Sequence, residues 1–404
     1  MNHAASASPP PSASGRAGTI ANLLGQLAFG LFVMTVCIPS MQEWSALLGA
    51  TQAQVQLTFS GYVMAYGGFQ LVHGPLSDRI GRKPVLLGGL TVALAGTVIA
   101  LFAPNVHWLI AGRVLQGAGT AAGMVVGRAL VQDLFDGPER TRMMAFVGMV
   151  MGLCPPLATL IGGQLHVRLG WQANFVLILV LGLVLMVGAW RGVPSTPPAP
   201  SGEAHWLSQL FSGYLRLMRE RTFLLFVVCL SGTTATFYTF LAGAPIVLGS
   251  YGVKPQHLGW YIMAVPLPYI LGNLAASRWV RRLGDNGLMS LGHGLTLSGL
   301  SLVLVLALAG VNSPLALVLP LMLMGAGHGL LMPSTLAGAV GVVPALAGSA
   351  AAVAGLMQQL AGALGGLVVG LVTHEDGVNL ALLMLAMGAT GAVGLGLLIR
   401  GGRR

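Results

Sequence analysis

The chain has 404 residues and a formal net charge of +10, yet only 7% of its residues are charged and 55% are hydrophobic. A soluble protein needs roughly a quarter of its residues charged to cover its surface, so this composition excludes a water-soluble globule and indicates a protein whose solvent is largely lipid. The three cysteines lie inside apolar runs without zinc-site or disulfide spacing, and we expect them to be small buried hydrophobes.

Residues 1–18 are rich in Ala, Ser and Pro, which predicts a disordered tail. Beyond them, apolar stretches of about 20 residues predict twelve spanning helices, called spans 1 to 12 in chain order. Their expected limits are 20–41, 54–76, 85–104, 107–132, 142–164, 172–192, 222–249, 258–277, 288–310, 314–338, 346–372 and 378–399. We expect two six-helix units, at 19–192 and 222–400, joined by a polar linker at 193–221 and followed by a short tail at 401–404.

The Lys and Arg residues are unevenly distributed over the predicted loops. If the N-terminus is cytoplasmic, the outer loops keep only Arg168 and Lys254, and nearly all other loop cations fall inside. This bias predicts that both termini are cytoplasmic. It also attributes the positive charge to membrane topology and not to nucleic-acid binding, since no basic cluster is interleaved with stacking aromatics.

The two units resemble each other at one loop. The segment “DRIGRKPVLLGG” (78–89) lies between spans 2 and 3, and “RRLGDNGLMSLG” (281–292) lies between spans 8 and 9. A repeat of six helices plus six is the layout of a transporter whose halves rock around a central site.

The segment “GPLSDRIGRKP” (74–84) concentrates charge in an otherwise apolar chain. Topology accounts for its basic residues but not for Asp78, nor for its glycines, which permit tight turns and close helix approach. An Asp at a helix end can cap that helix or face the N-terminus of another. The segment resembles the signature between helices 2 and 3 of the major facilitator superfamily, G-x-L-[AS]-D-R-x-G-R-[RK].

Other segments are similar to the drug:proton antiporter group of that superfamily, within it to the bicyclomycin and chloramphenicol resistance (Bcr/CflA) branch. They are “RVLQGAGTAAGMVVGRALVQDLF” (113–135), “GWQANF” (170–175) and “AGSAAAVAGLMQQLAGALGG” (347–366). The resemblance covers about 35–372. It implies an all-α membrane protein with twelve transmembrane helices in two pseudo-symmetric halves, acting as a multidrug exporter of the bacterial inner membrane.

The resemblance also implies the partners of such a protein. We expect a small-molecule substrate, protons and membrane lipid, a proton gradient as the energy source, and no cofactor, metal or nucleic acid. One chain carries both halves of its pathway, so we expect a monomer. We expect no enzyme activity, because the G-x-G patterns lie inside spans and no nucleophile or metal constellation is present.

For the segment 74–84, the resemblance implies a conformational latch that holds the outward-open state. Asp78 would face the cytoplasmic start of span 11, at Gly348 and Ser349, where free backbone N–H groups carry partial positive charge. The loop arginines would pair with Asp133 or Asp136, and Arg128 with Asp133. The latch residues are Gly74, Asp78, Arg79, Gly81 and Arg82.

Arg113 lies about six residues inside span 4. A charged residue within a span is functional by default, and the resemblance makes Arg113, with Gln116, part of a proton relay. The alternative is that Arg113 snorkels to the outer interface.

Span 5 carries “CPPLATLIGG” (154–163), where the antiporter signature is G-P-x-x-G-G. Gly162 and Gly163 match the last two glycines of that signature. Ala158 and Thr159 stand where Gly-Pro is expected, and Pro155 lies one turn earlier. Small residues and prolines suit a close, bent packing against span 8, which the resemblance links to a seal against proton leak.

Span 1 lacks the acid of the branch, because Thr35 stands in “TVCIPSM” where Asp is expected. None of the ten acids lies clearly deep in a span, so the usual proton-carrying carboxylate is missing. His328 in span 10 and His73 in span 2 are possible substitutes, since His titrates near physiological pH. The alternative for both is a hydrogen-bonded core histidine.

The substrate cavity is predicted from aromatic and amide side chains in spans 7, 8 and 11. An apolar pocket with a few polar groups suits amphiphilic drug-like molecules, and the absence of a deep acid favours neutral compounds, such as phenicols, over cations. The two adjacent glutamines of span 11 point about 100° apart, so at most one faces the centre. The candidates are Thr35, Phe237, Tyr238, Phe240, Asn273, Gln358 and Gln359.

Two other functions remain open at this stage. The missing acid supports an uncoupled or differently coupled facilitator of a small metabolite. A membrane sensor that kept the fold but lost turnover is the second alternative, although the chain retains the latch segment and Arg113 and shows no signalling domain.

Overall fold

The computed structural model describes residues 13–194, 206–374 and 376–401, and this part of the chain is built from helices and their connections. The α-helices are α1 (Ala13–Val36), α2 (Met41–Leu48), α3 (Gln52–Ile80), α4 (Arg82–Leu101), α5 (Val106–Leu134), α6 (Gly137–Leu169), α7 (Gln172–Gly192), α8 (Trp206–Leu217), α9 (Arg221–Ser250), α10 (Leu258–Ile262), α11 (Pro266–Leu308), α12 (Pro314–Gly341), α13 (Ala347–Leu371) and α14 (Val378–Gly401).

The twelve predicted spans map onto these helices. Ten segments of the described chain are long and apolar enough to cross a membrane, and one of them, Pro255–Leu308, is 54 residues long and contains two predicted spans. Helix α3, with 29 residues, supplies span 2. The prediction of an all-α protein with two six-helix halves is confirmed: α1 to α7 form the N-terminal half, and α9 to α14 form the C-terminal half.

The internal repeat is visible in the backbone at two glycines. Gly81 separates α3 from α4 with φ of 96°, and Gly284 interrupts α11 with φ of 65°. Residues other than glycine rarely adopt such positive φ values. The two loops that resemble each other in sequence therefore make the same kind of sharp turn between consecutive spans.

The predicted tail and linker differ from the structure in two places. Residues 13–18 belong to α1, whereas the prediction placed them in a disordered tail; residues 1–12 lie outside the described residues. The linker at 193–221 contains α8, which was read as a polar stretch. Tyr214 and Leu217 of α8 pack with Phe223 and Val227 against the C-terminal half, because one face of this short helix is apolar.

The helix of span 1 also ends earlier than predicted. Helix α1 ends at Val36, and a 3-10 turn at Ile38–Ser40 leads into α2. Pro39 accounts for the break, since it lacks the backbone N–H that would continue the helix.

Successive spans alternate in direction, which gives the bundle two distinct ends. One end carries the connections near 78–83, 136–142 and 278–285 together with the start of α9, and we call it the basic end. The other end carries the connections near 37–51, 102–105, 251–257 and 372–377, and we call it the opposite end.

Candidate functional site

The two halves meet at the opposite end. The side-chain amide of Gln42 donates to the carbonyl of Pro245 at 2.8 Å, and that of Gln56 donates to the carbonyl of Ala242 at 2.8 Å. Each of these bonds joins the N-terminal half to α9. They close the bundle at this end.

Helix α6 contributes a second closing contact through its retained glycines. A Cβ at Gly163 would overlap the backbone carbonyl of Pro255, which belongs to the C-terminal half, and one at Gly162 would overlap the carbonyl of Val36 in α1. The contact of Gly163 with Pro255 agrees with the close packing that the sequence predicts between spans 5 and 8. The two adjacent glycines thus serve different interfaces, one between the halves and one within the N-terminal half.

Helices α3 and α13 form the middle of the interface. Gly67 packs directly against Gln359, and Gly366 packs against Phe59. Nearer the basic end the helices separate, and a Cβ at Gly355 would lie 4.0 Å from Oε1 of Gln70. Small residues thus allow close backbone approach toward the opposite end.

The predicted latch contact is not made in this conformation. Asp78 pairs with Arg82 four residues later, and its side chain is 61% exposed. Within the described residues, a Cβ at Gly348 would meet no atom within 4 Å, so the start of α13 is open at the place where Asp78 would dock. An open gap between α3 and α13 at the basic end follows from these observations.

Arg82 links the latch segment to α5. Its Nε donates to Asp133 at 3.2 Å, and its Nη1 donates to the hydroxyl of Ser77 at 2.7 Å. The predicted pairing of a loop arginine with Asp133 is confirmed. Asp136 pairs instead with Arg140 at 2.7 Å.

The predicted pair of Arg128 with Asp133 is wrong. Asp133 receives Arg82, and Arg128 is an exposed side chain. The reason is helical geometry: five residues correspond to about 500° of rotation, which places the two side chains on different faces of α5.

Arg113 is almost fully buried, at 2% exposure. Its guanidinium donates to the carbonyls of Val33 at 2.8 Å and Met34 at 3.2 Å, and to that of Thr58 at 3.4 Å. The first two belong to the last turn of α1, whose carbonyls lack helical partners because the helix stops before Pro39. Arg113 therefore caps the C-terminus of α1 with a cation, as the helix dipole favours.

The remaining contacts of Arg113 lie inside the N-terminal half. It donates to Oε1 of Gln116 at 2.9 Å, and Gln116 in turn donates to the Thr97 hydroxyl at 2.9 Å. The guanidinium carbon lies 4.5 Å from the ring centre of Tyr62. The structure brings the predicted pair Arg113 and Gln116 together, and its burial contradicts the alternative of a side chain that snorkels to the interface.

His328 lies apart from that pair, in the C-terminal half. It is 5% exposed, and its Nε2 lies 3.1 Å from the Thr236 hydroxyl of α9. His73 is also buried and lies against Phe69. Sequence reasoning missed His293, which is also buried and neither of whose ring nitrogens has a hydrogen-bond partner among the described residues.

Thr35 does not line the gap between the halves. It is fully buried, and its hydroxyl donates to the carbonyl of Leu31 within its own helix at 2.7 Å. Phe240 is likewise fully buried. Both were predicted cavity residues, and in this conformation their burial removes them from the opening. No Asp or Glu is buried in the part of the chain that the structure describes.

The other cavity candidates lie nearer the interface. Tyr238 donates to Oε1 of Gln359 at 3.0 Å and meets the ring of Phe59 edge-on at 6.2 Å. Gln358 instead accepts from the Thr234 hydroxyl at 2.9 Å. The two adjacent glutamines thus face different neighbours, as their helical spacing requires.

Two further candidates are half-buried. Asn273 donates to the carbonyl of Tyr269 in its own helix at 3.3 Å, and Phe237 lies beside Tyr238.

Sequence reasoning missed the aromatic pair Tyr62 and Tyr66. Their rings stack at 6.0 Å, and Tyr62 bonds to the Gly30 carbonyl at 2.6 Å and to the Thr120 hydroxyl at 2.7 Å. The signal was available: the two tyrosines are four residues apart and so share one face of α3.

Comparisons with known proteins agree with this architecture. The family model described as Major Facilitator Superfamily matches residues 23–366 and 224–403. Multidrug resistance protein D of Escherichia coli is 30% identical over 368 residues, which cover 90% of this chain and 91% of that protein. A chloramphenicol resistance protein of Pseudomonas aeruginosa is 28% identical, over 73% of this chain and 70% of that protein.

Solved structures show the same fold at low sequence identity. A bacterial homologue of the human lysosomal transporter Spinster, in an inward-facing and unoccupied conformation, has a TM-score of 0.73 at 14% identity and covers 97% of this chain and 98% of its own. A peptide transporter in complex with alafosfalin has a TM-score of 0.75 at 17% identity and covers 95% of this chain and 94% of its own.

Proposed function

Because this chain belongs to the Major Facilitator Superfamily, we propose that it is a secondary active exporter of small hydrophobic, drug-like molecules, driven by proton antiport. Membership of a transporter family makes the chain a multi-pass membrane transporter and not an enzyme. The observation that carries the proposal is the arrangement of the halves, which touch at the opposite end and separate at the basic end around aromatic and amide side chains.

The charge distribution supports an orientation in the bacterial inner membrane. Lys and Arg concentrate at the basic end, and such residues favour the cytoplasmic side. With that orientation both termini are cytoplasmic, and the present conformation is open to the cytoplasm. A cytoplasmic drug would enter this opening, and closure at the basic end would then open the other side.

The names of relatives and the lining of the gap support a drug-like substrate. The printed names concern multidrug and chloramphenicol resistance. Phe237 is half-buried, and Tyr238 and Gln359 lie buried at the interface between the halves, so this region is apolar with few polar groups, which suits amphiphilic molecules. Because no carboxylate of the described chain is buried, we propose neutral compounds, such as phenicols, ahead of cations.

We propose that proton coupling in this chain does not use the usual carboxylate of the branch. The intramembrane acid expected in span 1 is replaced by Thr35, so the coupling would pass through other polar groups. Arg113 with Gln116 in the N-terminal half and His328 in the C-terminal half are the candidates. The same missing acid favours the second candidate function, an uncoupled facilitator of a small metabolite.

Drug export in cells tests the proposal. A strain that lacks its own pumps would express the protein, and its accumulation of a radiolabelled phenicol would be compared with that of a cationic dye. We expect lower phenicol accumulation than in cells carrying an empty vector, and this difference should vanish when the gradient is collapsed. Resistance to cationic dyes with none to neutral drugs would contradict the proposed substrate class.

A further inference from the structure

One side of α3 carries uncharged polar side chains along the interface between the halves. Gln52, Gln56 and Ser60 follow one another at four-residue intervals, so they share that side of the helix. Nearer the basic end, Gln70 is half-buried where α3 and α13 separate. We call the side of the helix that bears these four residues the polar side of α3.

Helix α13 runs antiparallel to α3 and covers this side toward the opposite end. A Cβ at Gly366 would lie 2.9 Å from the Ser60 hydroxyl oxygen, and one at Gly370 would lie 2.8 Å from Cβ of Gln56. The amide of Gln56 also donates to the carbonyl of Ala242 on α9 at 2.8 Å. The polar side of α3 therefore faces two helices of the C-terminal half.

The same side of α3 leads past the middle of the interface to the gap. Gly67 packs against Gln359 of α13, and Gln359 accepts from the Tyr238 hydroxyl at 3.0 Å. One turn of α13 nearer the basic end, a Cβ at Gly355 would lie 4.0 Å from Oε1 of Gln70. The polar groups thus form a row that extends from the gap, past the amide of α13, to the closed end.

The row contains unpaired groups where α13 covers it. Among the described residues, Nε2 of Gln52, Oε1 of Gln56 and the Ser60 hydroxyl have no hydrogen-bond partner. Gln56 is fully buried and Ser60 is 2% exposed, so neither side chain meets water in this conformation. Leaving buried polar groups unpaired is unfavourable. Helix packing alone gives no reason for polar residues here, whereas a molecule that enters when the halves separate would supply the missing partners.

We propose that the polar side of α3, together with Gln359, binds the hydroxyl and amide groups of an uncharged substrate on its way from the gap to the opposite end. We call Gln52, Gln56, Ser60, Gln70 and Gln359 the α3 site. In the present conformation its end at Gln70 borders the gap, and α13 covers its other end. The α3 site rests on the proposed export function and deepens it, because it assigns the groups that hold a neutral compound during release.

The groups of the α3 site favour uncharged partners. A substrate hydroxyl can donate to Oε1 of Gln56 and accept from Nε2 of Gln52, and a substrate amide can do the same. No member of the site carries a charge that would compensate a buried ion. The rings of Phe59 and Tyr238, whose centres lie 6.2 Å apart edge-on across the interface, suit the apolar part of the same molecule.

A matched pair of ligands tests the α3 site without relying on transport. The probes are chloramphenicol and its 1,3-diacetate, in which both hydroxyls are esterified and no longer donate. A ligand that binds better when the opposite end is open shifts the protein toward that state. Spin labels on the 102–105 and 251–257 connections of the purified full-length protein in nanodiscs report this opening, because one connection belongs to each half.

In the wild type, saturating chloramphenicol should raise the ratio of open to closed protein about tenfold more than the diacetate, as two added hydrogen bonds predict. Ser60→Ala should reduce this advantage about threefold, because it removes one of the partners. The double variant Gln52→Leu with Ser60→Ala should abolish it. Gln56 is left unchanged, since its amide also closes the opposite end.

Thr239→Val is the matched control. A Cβ at Gly365, which precedes Gly366 on α13, would overlap the Thr239 hydroxyl, and this hydroxyl is also buried and unpaired among the described residues. Both helices of that contact, α9 and α13, belong to the C-terminal half, so they stay together when the halves separate. Thr239→Val should therefore leave the advantage of chloramphenicol over the diacetate unchanged.

Equal shifts by the two ligands in the wild type would overturn the α3 site. A change of the ligand-free ratio in Ser60→Ala with an unchanged advantage of chloramphenicol would also overturn it, because the hydroxyl would then act in gating alone. If cells export phenicol but the advantage does not depend on Gln52 and Ser60, the α3 site fails and the export function stands. If the advantage depends on them but no compound is exported, the export function fails and the α3 site stands.

Discussion

Arg113 connects three helices, α1, α3 and α5, through its hydrogen bonds. Its guanidinium reaches carbonyls of α1 and α3 from its place on α5, and the α1 carbonyls are available because Pro39 ends that helix early. The sequence predicted a functional arginine from its depth in a span. It did not predict the partners, because these depend on where α1 stops and on how α3 crosses it.

Substitution of Arg113 separates a structural from a relay role. Arg113→Gln should lower the thermal unfolding temperature in detergent, since each buried carbonyl left unpaired costs about 1–3 kcal/mol. Arg113→Lys should fall between this variant and the wild type, because a single ammonium cannot match the planar fork. Variants as stable as the wild type but defective in transport would contradict the capping role and leave only the relay.

Asp78 illustrates a residue whose role depends on the conformational state. Here it pairs with Arg82 and leaves the start of α13 open. A carboxylate at a helix N-terminus contributes roughly 1 kcal/mol, so Asp78→Asn should shift the equilibrium about fivefold toward the state open at the basic end.

Double electron–electron resonance, which measures the distance between two spin labels placed on the basic-end loops, would check this shift. Asp285→Asn, at the equivalent turn of the C-terminal half, is the matched control, since Asp285 has no described partner. Equal distance distributions for Asp78→Asn and the wild type would leave the segment 74–84 with only a topological role.

The helix packing is set by glycines whose positions decide which surfaces can touch. Gly163 contacts the C-terminal half, Gly162 contacts α1, and Gly148 on the same helix has no atom within 4 Å of a Cβ. The antiporter-like pattern of span 5 predicted close packing. It could not predict that the two adjacent glycines face different partners, because that depends on the rotation of α6.

Valine substitutions along α6 should therefore have three different effects. Gly163→Val should reduce export strongly and favour the state that is open at the opposite end, because the side chain would collide with the Pro255 carbonyl. Gly162→Val should lower thermal stability, because its collision is inside one half. Gly148→Val should change neither export nor stability; matching export defects in Gly163→Val and Gly148→Val would contradict this account.

At the scale of the whole molecule, much of the architecture is predictable from sequence. Apolar length and the positions of Lys and Arg give the spans and their proposed orientation, and the loops around Gly81 and Gly284 reveal the repeat. The conformation is not predictable in this way. Which end is closed depends on a small free-energy difference between two packings of the same helices.

The site was predicted less completely than the fold. Tyr238 and Gln359 were found because they stand in polar or aromatic runs, and they do meet at the interface. Thr35 and Phe240 were predicted to line the cavity but are fully buried, because the direction of a side chain is fixed by crossing helices and not by local sequence. Helix α8 was missed because its apolar face is only a few residues long.

Flux in proteoliposomes under an imposed pH gradient tests the central claim, proton-driven drug export, most directly. The purified protein would be reconstituted, and uptake of a radiolabelled phenicol and movement of protons would be recorded together. We expect drug flux that depends on the gradient and is accompanied by protons moving in the opposite direction. Drug flux that is indifferent to the gradient would contradict antiport and support the facilitator, and the absence of flux for every drug tested would contradict export altogether.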